Sequence, residues 1–310
     1  MTVTVLFSAG SERFEVYEHP LAQALAQAGV PARLVLDAPP AAVDYIVFAP
    51  GSAITDFTPY TRCKAVLSLW AGVERIVDNP TLTQPLCRMV DRALERGMVE
   101  YVTGHVLRHH LGMDRFVNRP LDGWGHAVPP LASERPVGML GLGALGQACA
   151  AALRALGFPV LGWSRSPRLV DGIACHHGAS GLAEVLSQAQ IVVTLLPRTP
   201  QTEGLIDAQA LARMPRGAVL INPGRGALIQ DAALLAALDS GHLDHATLDV
   251  FRTEPLPGDH PFRHHPRVTA TPHIAAATRP ATAAGVIAEN IRRGEAGEPF
   301  LHLVDRARGY

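Results

Sequence analysis

The glycine-rich stretch around residue 143 constrains the fold of this chain more than any other segment. An apolar run at 137–140, typical of a buried strand, leads into GLGALG at 141–146, and a helical pattern follows. Gly141 permits a tight turn, Gly143 lets a ligand approach the backbone, and Gly146 lets the helix pack against the strand. This strand–loop–helix order predicts that the first turn of the helix binds the pyrophosphate of a dinucleotide. The predicted cofactor-binding residues of the loop are Gly141, Gly143, Ala144, Leu145 and Gly146.

The turn after the next strand indicates which dinucleotide is bound. Folds that bind NAD place an acidic residue about 20 residues past the loop, where it contacts the ribose hydroxyls. This chain has Ser164, Arg165 and Ser166 there, and it has no Asp or Glu between Gly141 and Arg168. Hydroxyl donors and a guanidinium suit a 2′-phosphate, which an acid would repel. We therefore predict NADP(H) as the preferred cofactor and NAD(H) as the alternative, with Arg168 a weaker candidate ligand. A polar turn without a ligand is the structural alternative.

Strand and helix patterns alternate on both sides of this loop, which predicts an α/β fold with parallel, doubly wound sheets. Buried-strand patterns occur at 3–7, 33–36, 45–48, 66–69, 137–140, 160–163, 191–195, 219–222, 246–250 and 268–270. Helical patterns occur at 21–28, 98–110, 146–156, 231–238 and 280–300, and a Pro- and Gly-rich surface loop at 118–136. A chain of 310 residues that is 48% hydrophobic can bury the cores of two domains.

Composition and charge exclude several functions. The formal net charge is −1 without a basic stripe, so no nucleic-acid surface is expected. No apolar run reaches the roughly 18 residues of a membrane span, and the first residues lack a signal-peptide pattern. Four cysteines without a C-x-x-C pair indicate reduced thiols in a cytoplasmic protein. The 14 histidines lack a spacing such as H-E-x-x-H, so no metal site is predicted.

Three ionisable residues directly follow strand patterns in the second half of the chain. They are Arg225 in INPGRGALI, Glu254 in LDVFRTEPLP and His273 in ATPHIAAAT. The carboxyl ends of strands form the ligand site of a doubly wound sheet. An arginine can bind a carboxylate or polarise a ketone, and a histidine can donate a proton to a developing alkoxide. A glutamate can orient that histidine and stabilise its protonated form. Each residue alone has a structural explanation, but together they predict reduction of a 2-keto acid.

In the order and spacing of these motifs, nearly the whole chain resembles the D-isomer-specific 2-hydroxyacid dehydrogenases. The motifs are the glycine loop, LLPRTPQTEGLID (195–207), INPGRGALI (221–229), LDVFRTEPLP (248–257) and TPHIAAAT (271–278). The sequence GWSRS after the second strand is similar to the glyoxylate/hydroxypyruvate reductase branch, in which it accompanies NADPH. The resemblance implies two Rossmann-like domains. The substrate domain (1–97 plus 279–310) would be flavodoxin-like and discontinuous, because the dinucleotide-binding domain (98–278) would be inserted between its two segments.

The resemblance also implies roles for single residues. It makes Arg225, Glu254 and His273 the catalytic set, with Arg225 and His273 also in contact with substrate. The motif LWAGVERI (69–76) would supply backbone N–H groups to the substrate carboxylate. The substrate-binding residues implied there are Trp70, Ala71, Gly72 and Val73. The further cofactor-binding residues are Leu196, Pro197, Arg198 and Asp249, of which Asp249 would face the nicotinamide carboxamide.

Two departures from the family pattern bear on the substrate. Gly224 precedes Arg225 where the family usually has Ala or Ser, and the tripeptide at 49–51 lacks the aromatic residue that the reductase branch tends to have near there. We predict NADPH-dependent reduction of small 2-keto acids, such as glyoxylate and hydroxypyruvate, by hydride transfer with His273 as general acid. One alternative is a reductase of bulkier aromatic or branched 2-keto acids. Another is a non-catalytic protein that senses dinucleotides. The helix at 98–110 is expected to form a homodimer interface, because the family is mostly dimeric.

Overall fold

The computed structural model of the chain describes residues 2–117, 128–307 and 309, and it contains two compact units. The first unit combines Met1–Leu94 with Thr278–Tyr310, and the second is Glu95–Ala277. The first unit is therefore discontinuous, because the whole second unit is inserted between its two segments. The surface loop predicted at 118–136 lies partly outside the described residues. Within the described ranges, no helix has both the length and the apolar character that crossing a membrane requires.

Twelve strands and seven α-helices make up the described parts of the two units. The strands are β1 (Val3–Ser8), β2 (Ala32–Val35), β3 (Tyr45–Phe48), β4 (Ala65–Ser68), β5 (Leu86–Cys87), β6 (Val137–Leu140), β7 (Val160–Ser164), β8 (Ala174–His177), β9 (Ile191–Thr194), β10 (Ala218–Asn222), β11 (Leu243–Leu248) and β12 (Val268–Ala270). The helices are α1 (Ser11–Gln27), α2 (Arg92–His110), α3 (Ala144–Ala155), α4 (Gly178–Gln188), α5 (Ala208–Arg213), α6 (Asp231–Asp239) and α7 (Pro280–Ala296).

The first unit is built on a parallel sheet with the strand order β2-β1-β3-β4-β5. This order is the flavodoxin-like arrangement of a doubly wound fold. Every residue of β3 and β4 is buried, as expected for central strands covered by helices on both faces. Helices α1 and α7 pack against each other, and the Tyr45 hydroxyl on β3 donates a hydrogen bond to Glu295 Oε1 of α7 at 2.7 Å. The last helix of the chain is thus part of the core of the first unit.

The second unit is built on a seven-stranded parallel sheet with the order β12-β11-β10-β9-β6-β7-β8. Read from β8, this is the Rossmann order with one further strand at the far edge. The chain leaves β6 toward β7 on one side and later returns to β9 on the other. The crevice that forms where the direction reverses is the usual binding place for a dinucleotide, and the glycine loop follows β6 directly.

The predicted fold class, with two doubly wound parallel sheets, is confirmed. The strands predicted at 45–48, 137–140 and 268–270 have the predicted bounds. The helix predicted at 21–28 was wrong in its start, because α1 begins at Ser11 and contains Pro20. A stripe of Tyr17, Leu21 and Leu25 is buried along it, and this packing sustains the helix through the proline.

Candidate active site

The carboxyl ends of the strands of the second unit carry most of the predicted site residues. Because all seven strands are parallel, the loops that follow β6, β7, β9, β10, β11 and β12 emerge at the same edge of this sheet. The glycine loop, the Ser164–Ser166 turn, Arg225, Glu254 and His273 therefore share one edge.

The glycine loop has the geometry of a phosphate-binding turn. Gly141 has φ = 112°, a conformation that L-residues rarely adopt, and a side chain there would collide with the backbone of Leu195. A side chain at Gly146 would collide with the carbonyl of Gly141. Gly143 is exposed, and the space above it is open. Helix α3 begins at Ala144 without a capping side chain, so its first N–H groups face this space. These features fit a dinucleotide pyrophosphate.

The polar residues of the turn after β7 differ in burial and in their hydrogen-bonding partners. Ser164 is buried, and its Oγ donates a hydrogen bond to the carbonyl of Ser166 at 2.8 Å. This hydrogen bond gives Ser164 a role in shaping the turn, and its contact with a phosphate stays a prediction. Arg165 and Ser166 are exposed. Arg168 Nη1 donates to the carbonyl of Leu142 at 2.9 Å, so this side chain lies directly against the glycine loop.

The segment after β9 is held by a local network. Leu196 is buried, and the carbonyl of Pro197 accepts a hydrogen bond from Thr202 Oγ1 at 2.7 Å. Arg198 is exposed and forms an ion pair with Glu203 at 3.3 Å. Of the three residues predicted to bind cofactor here, Arg198 is thus the one that presents a charge at the surface.

A buried asparagine positions the loop that carries Arg225. The Oδ1 atom of Asn222 accepts hydrogen bonds from Thr194 Oγ1 at 2.6 Å and from the Gly224 N–H at 3.1 Å. Its Nδ2 donates to the carbonyl of Arg225 at 3.0 Å. A Cβ at position 224 would lie 2.7 Å from the carbonyl oxygen of Thr194, so the glycine found there permits this close approach. Sequence reasoning missed Asn222 and Thr194: each is a polar residue at the end of an apolar strand, but the sequence does not show that these two strands pair.

His273 and Glu254 form the central pair of the site. His273 Nδ1 lies 2.8 Å from Glu254 Oε2, and Glu254 Oε1 accepts a hydrogen bond from the Phe251 N–H at 2.9 Å. The glutamate is therefore fixed on one side while it orients the imidazole on the other. The His273 side chain is 52% exposed, and Nε2 is the ring nitrogen that could contact a ligand, because Nδ1 is engaged by Glu254. His273 has φ = 55°, a strained conformation for a non-glycine residue that costs about 1–3 kcal/mol.

Asp249 is completely buried beneath the histidine segment. Its Oδ1 accepts hydrogen bonds from Thr271 Oγ1 at 2.6 Å and the Ile274 N–H at 2.8 Å, and its Oδ2 accepts one from the Ala275 N–H at 2.9 Å. The His273 N–H donates to the backbone carbonyl of Asp249 at 2.9 Å. The contact of Asp249 with the nicotinamide stays a prediction, and the contacts described here give the residue a role in holding the loop around His273.

The predicted substrate loop follows β4 in the first unit. Ser68 Oγ accepts a hydrogen bond from the Trp70 N–H and donates one to the Trp70 carbonyl, at 3.1 and 3.0 Å. Trp70 is 37% exposed, and the guanidinium of Arg13 lies 5.7 Å from the centroid of its ring. Ala71 and Gly72 are half-buried, whereas Val73 is buried. The part of the chain that the structure describes holds no group of three or more His, Cys, Asp or Glu side chains suited to a metal ion.

Comparison with known proteins agrees with this geometry. The sequence profile of the D-isomer specific 2-hydroxyacid dehydrogenase NAD-binding domain matches residues 105–275. Glyoxylate/hydroxypyruvate reductase A of Serratia proteamaculans (strain 568) is 42% identical over 257 residues, which cover 80% of this chain and 82% of that protein. A D-isomer specific 2-hydroxyacid dehydrogenase from Xanthobacter autotrophicus Py2, in complex with NADPH and MES, is 39% identical with a TM-score of 0.93 and 100% coverage of both chains.

A third relative is the NADPH-dependent glyoxylate/hydroxypyruvate reductase from Sinorhizobium meliloti, solved in complex with NADP and sulfate. It is 34% identical with a TM-score of 0.84, covering 100% of this chain and 99% of that one. The fold and the site, taken with these relatives, define the protein as an NAD(P)-dependent oxidoreductase. More particularly, the chain belongs to the D-isomer specific 2-hydroxyacid dehydrogenase family, where it groups with the glyoxylate/hydroxypyruvate reductase A branch. The predicted family and branch are confirmed.

Proposed function

We propose that this protein is an NADPH-dependent reductase of small 2-keto acids, with glyoxylate and hydroxypyruvate as its preferred substrates. The observation that carries the proposal is the 2.8 Å pair of His273 and Glu254, which shares one sheet edge with Arg225 and the glycine loop. A proton donor, an anion-binding guanidinium and a dinucleotide site are the three components that such a reduction needs. The names of the relatives in the reductase branch support the same substrates.

The proposed mechanism divides the chemistry between the cofactor and this chain. The bound nicotinamide supplies the hydride that the keto carbon receives. His273 protonates the developing alkoxide from Nε2, and Glu254 stabilises the imidazolium through Nδ1. Arg225 binds the carboxylate or the carbonyl oxygen, the N–H groups of residues 71–73 bind the carboxylate, and Trp70 lines the pocket.

NADPH is the proposed preferred cofactor. The exposed Arg165 and Ser166 after β7 and the guanidinium of Arg168 at the glycine loop provide donors and positive charge for a 2′-phosphate. Two relatives of the same fold were solved with NADPH or NADP bound. In this proposal, Leu196, Pro197 and Arg198 contact the ribose and phosphates, and Asp249 acts near the carboxamide.

The proposal extends to assembly and location. Helix α2 and the exposed Met113, Phe116 and Val117 after it would form a homodimer interface, because exposed apolar clusters of this kind mark interaction surfaces. Light scattering at micromolar concentration tests this, with twice the chain mass expected. A cytoplasmic location accords with four cysteines that carry no disulfide.

Steady-state kinetics with a panel of 2-keto acids, using NADPH and NADH, test the function directly. His273→Ala is expected to lower turnover by about 10²–10⁴-fold with nearly unchanged NADPH affinity, because only the proton donor is lost. His264→Ala, which removes an exposed histidine, is the matched control. Full turnover in His273→Ala would show that another group is the acid. Tight NADPH binding without turnover on any substrate would identify a dinucleotide sensor, and higher kcat/KM for aromatic keto acids would identify a reductase of bulkier substrates.

A further inference from the structure

A chain of three polar side chains connects helix α2 to the segment that carries His273. The Tyr101 hydroxyl on α2 lies 2.7 Å from Thr271 Oγ1, and Thr271 Oγ1 donates to Asp249 Oδ1 at 2.6 Å. Since the only hydroxyl hydrogen of Thr271 is given to Asp249, Thr271 must accept from Tyr101. The direction of the network is therefore fixed: Tyr101 donates to Thr271, which donates to Asp249. All three residues belong to the second unit.

Asp249 passes this connection on to the backbone around His273. Its two carboxylate oxygens accept hydrogen bonds from Ile274 and Ala275, the two residues that follow the histidine, and from Thr271, two residues before it. The histidine between them holds a left-handed backbone conformation with φ = 55°. A strained backbone conformation persists only where the surrounding contacts enforce it. The Asp249 carboxylate supplies such contacts, because it accepts hydrogen bonds from residues before and after His273.

The hydrogen bonds of the Tyr101 and Thr271 hydroxyls have a simpler explanation, because half-buried polar atoms ordinarily find a hydrogen-bonding partner. The orientation of Tyr101 indicates a more specific role. The Tyr101 side chain could reach solvent, since the residue is half-buried, yet its hydroxyl is turned to Thr271. Burial raises the pKa of Tyr101 to about 12, so the phenol stays protonated and remains a donor at every working pH.

We infer that Tyr101 and Thr271 are positioning residues, which act through Asp249 to hold the His273 backbone and so aim its imidazole. The inference rests on the proposed function, because it assigns these residues to the reaction in which His273 is the acid. Neither residue touches the imidazole. Their effect is expected on the rate of the chemical step and not on the binding of cofactor, because a displacement of a catalytic group by about 1 Å costs roughly 10²-fold in rate.

The test compares Thr271→Val, Thr271→Ser and Tyr101→Phe in the full chain. Thr271→Val keeps the shape but removes both hydrogen bonds, so kcat is expected to fall by about ten- to a hundredfold, with the KM for NADPH unchanged within about twofold. Thr271→Ser retains the hydroxyl and is expected to restore most of kcat. Tyr101→Phe removes only the outer bond and is expected to lower kcat by a smaller factor.

Thr269→Val is the matched control. Thr269 lies two residues earlier on β12, and its hydroxyl is paired with His245 Nε2 at 2.9 Å instead of Asp249. This variant makes the same chemical change on β12, two residues before Thr271, and is expected to keep the kcat of the wild type. The kinetic isotope effect on kcat, with NADPH deuterated at the transferred position, should rise in Thr271→Val, because a slower chemical step becomes more fully rate-limiting.

A second readout does not need turnover. The imidazole ¹⁵N resonances of His273, assigned through His273→Ala, should shift in Thr271→Val and Tyr101→Phe but not in Thr269→Val. Kinetics and resonances of Thr271→Val that match those of Thr269→Val would overturn the inference, as would a fall in thermal stability alone. If Thr271→Val does not fold, the kinetics and resonances of Tyr101→Phe, compared with those of Thr269→Val, test the inference in the same way. A wild type without turnover, whose His273 resonances still respond to these changes, would refute the proposed function and leave the positioning network standing.

Discussion

Arg165 follows the last residue of β7, where a protein that prefers NAD would have an acid. Arg165→Asp replaces a cation with an anion at the expected position of the 2′-phosphate. We expect kcat/KM with NADPH to fall by about 10–100-fold, the equivalent of one lost charge-assisted hydrogen bond, while NADH activity is retained or increased. Steady-state kinetics with both cofactors measure the ratio.

Arg33→Asp, on the exposed side of edge strand β2, makes the same charge change in the first unit and serves as the control. An Arg165→Asp enzyme with an unaltered NADPH to NADH ratio would show that this guanidinium does not read the phosphate. Arg168, already held against Leu142, would then be the remaining cation to test.

Single residues also show where sequence reasoning reached its limit. Arg225, Glu254 and His273 could be found because each follows an apolar run, and strand ends in a parallel sheet are known to meet at one edge. The residues that hold them could not be found in this way. Asn222 and Thr194 are 28 positions apart in sequence, and only the pairing of β9 with β10 brings them together. The hydrogen bond from Ser164 to the carbonyl of Ser166 was also not predicted from the sequence, because it depends on the conformation of the turn.

Among the elements, helix α2 carries a buried histidine that is expected to lower the stability of the protein in acid. The His109 side chain is only 3% exposed, and Nε2 pairs with Thr247 Oγ1 at 2.8 Å. Burial, reinforced by the nearby His245 and Arg108, lowers the pKa of His109 to about 3. At pH values between about 3 and the ordinary pKa of about 6.5, His109 is protonated in the unfolded chain but neutral in the folded chain. The free energy of unfolding therefore falls as the pH drops below about 6.5.

His109→Gln keeps a hydrogen-bonding side chain but removes the titration. From pH 7.5 to 5.5, the wild type should lose about 1 kcal/mol more unfolding free energy than this variant. Urea denaturation at the two pH values provides the measurement. His19→Gln, on the exposed side of α1, should retain the full pH dependence of the wild type. Equal losses in His109→Gln and wild type would mean that His109 does not titrate in this way.

The two strands that sequence reasoning missed, β5 and β8, both lack a local sequence pattern that would reveal them. Strand β8 has the sequence ACHH and no fully buried residue, so it shows no apolar run. Strand β5 has two residues, which is too short to display a period. Both are defined by their pairing with β7 and β4, a long-range contact that local pattern does not contain. The central strands β3 and β6, in which all four residues are buried, were predicted well because an uninterrupted apolar run is itself the signal.

For the molecule as a whole, α7 is the element on which the first unit depends. Its buried residues include Ile287 and Ile291, and it packs against α1 near the other end of the chain. Ile291→Asp places a charge in this core and should lower the unfolding free energy by about 3–5 kcal/mol, a large share of the 5–15 kcal/mol typical of a folded domain. Chemical denaturation followed by circular dichroism measures the loss.

Ala281→Asp introduces the same side chain at an exposed position of the same helix, and its stability should stay within about 0.5 kcal/mol of the wild type. A similar stability of the two variants would show that α7 contributes little to the core of the first unit.

The discontinuity of the first unit sets the order in which a nascent chain can fold. A ribosome releases the segment Met1–Leu94 first and Thr278–Tyr310 last, with the whole of Glu95–Ala277 in between. The inserted unit is complete in sequence before α7 has emerged, so it can fold while translation continues. The earlier segment must wait, with the apolar face that will receive α7 uncovered. The part of the protein that is made first is therefore the part that finishes folding last.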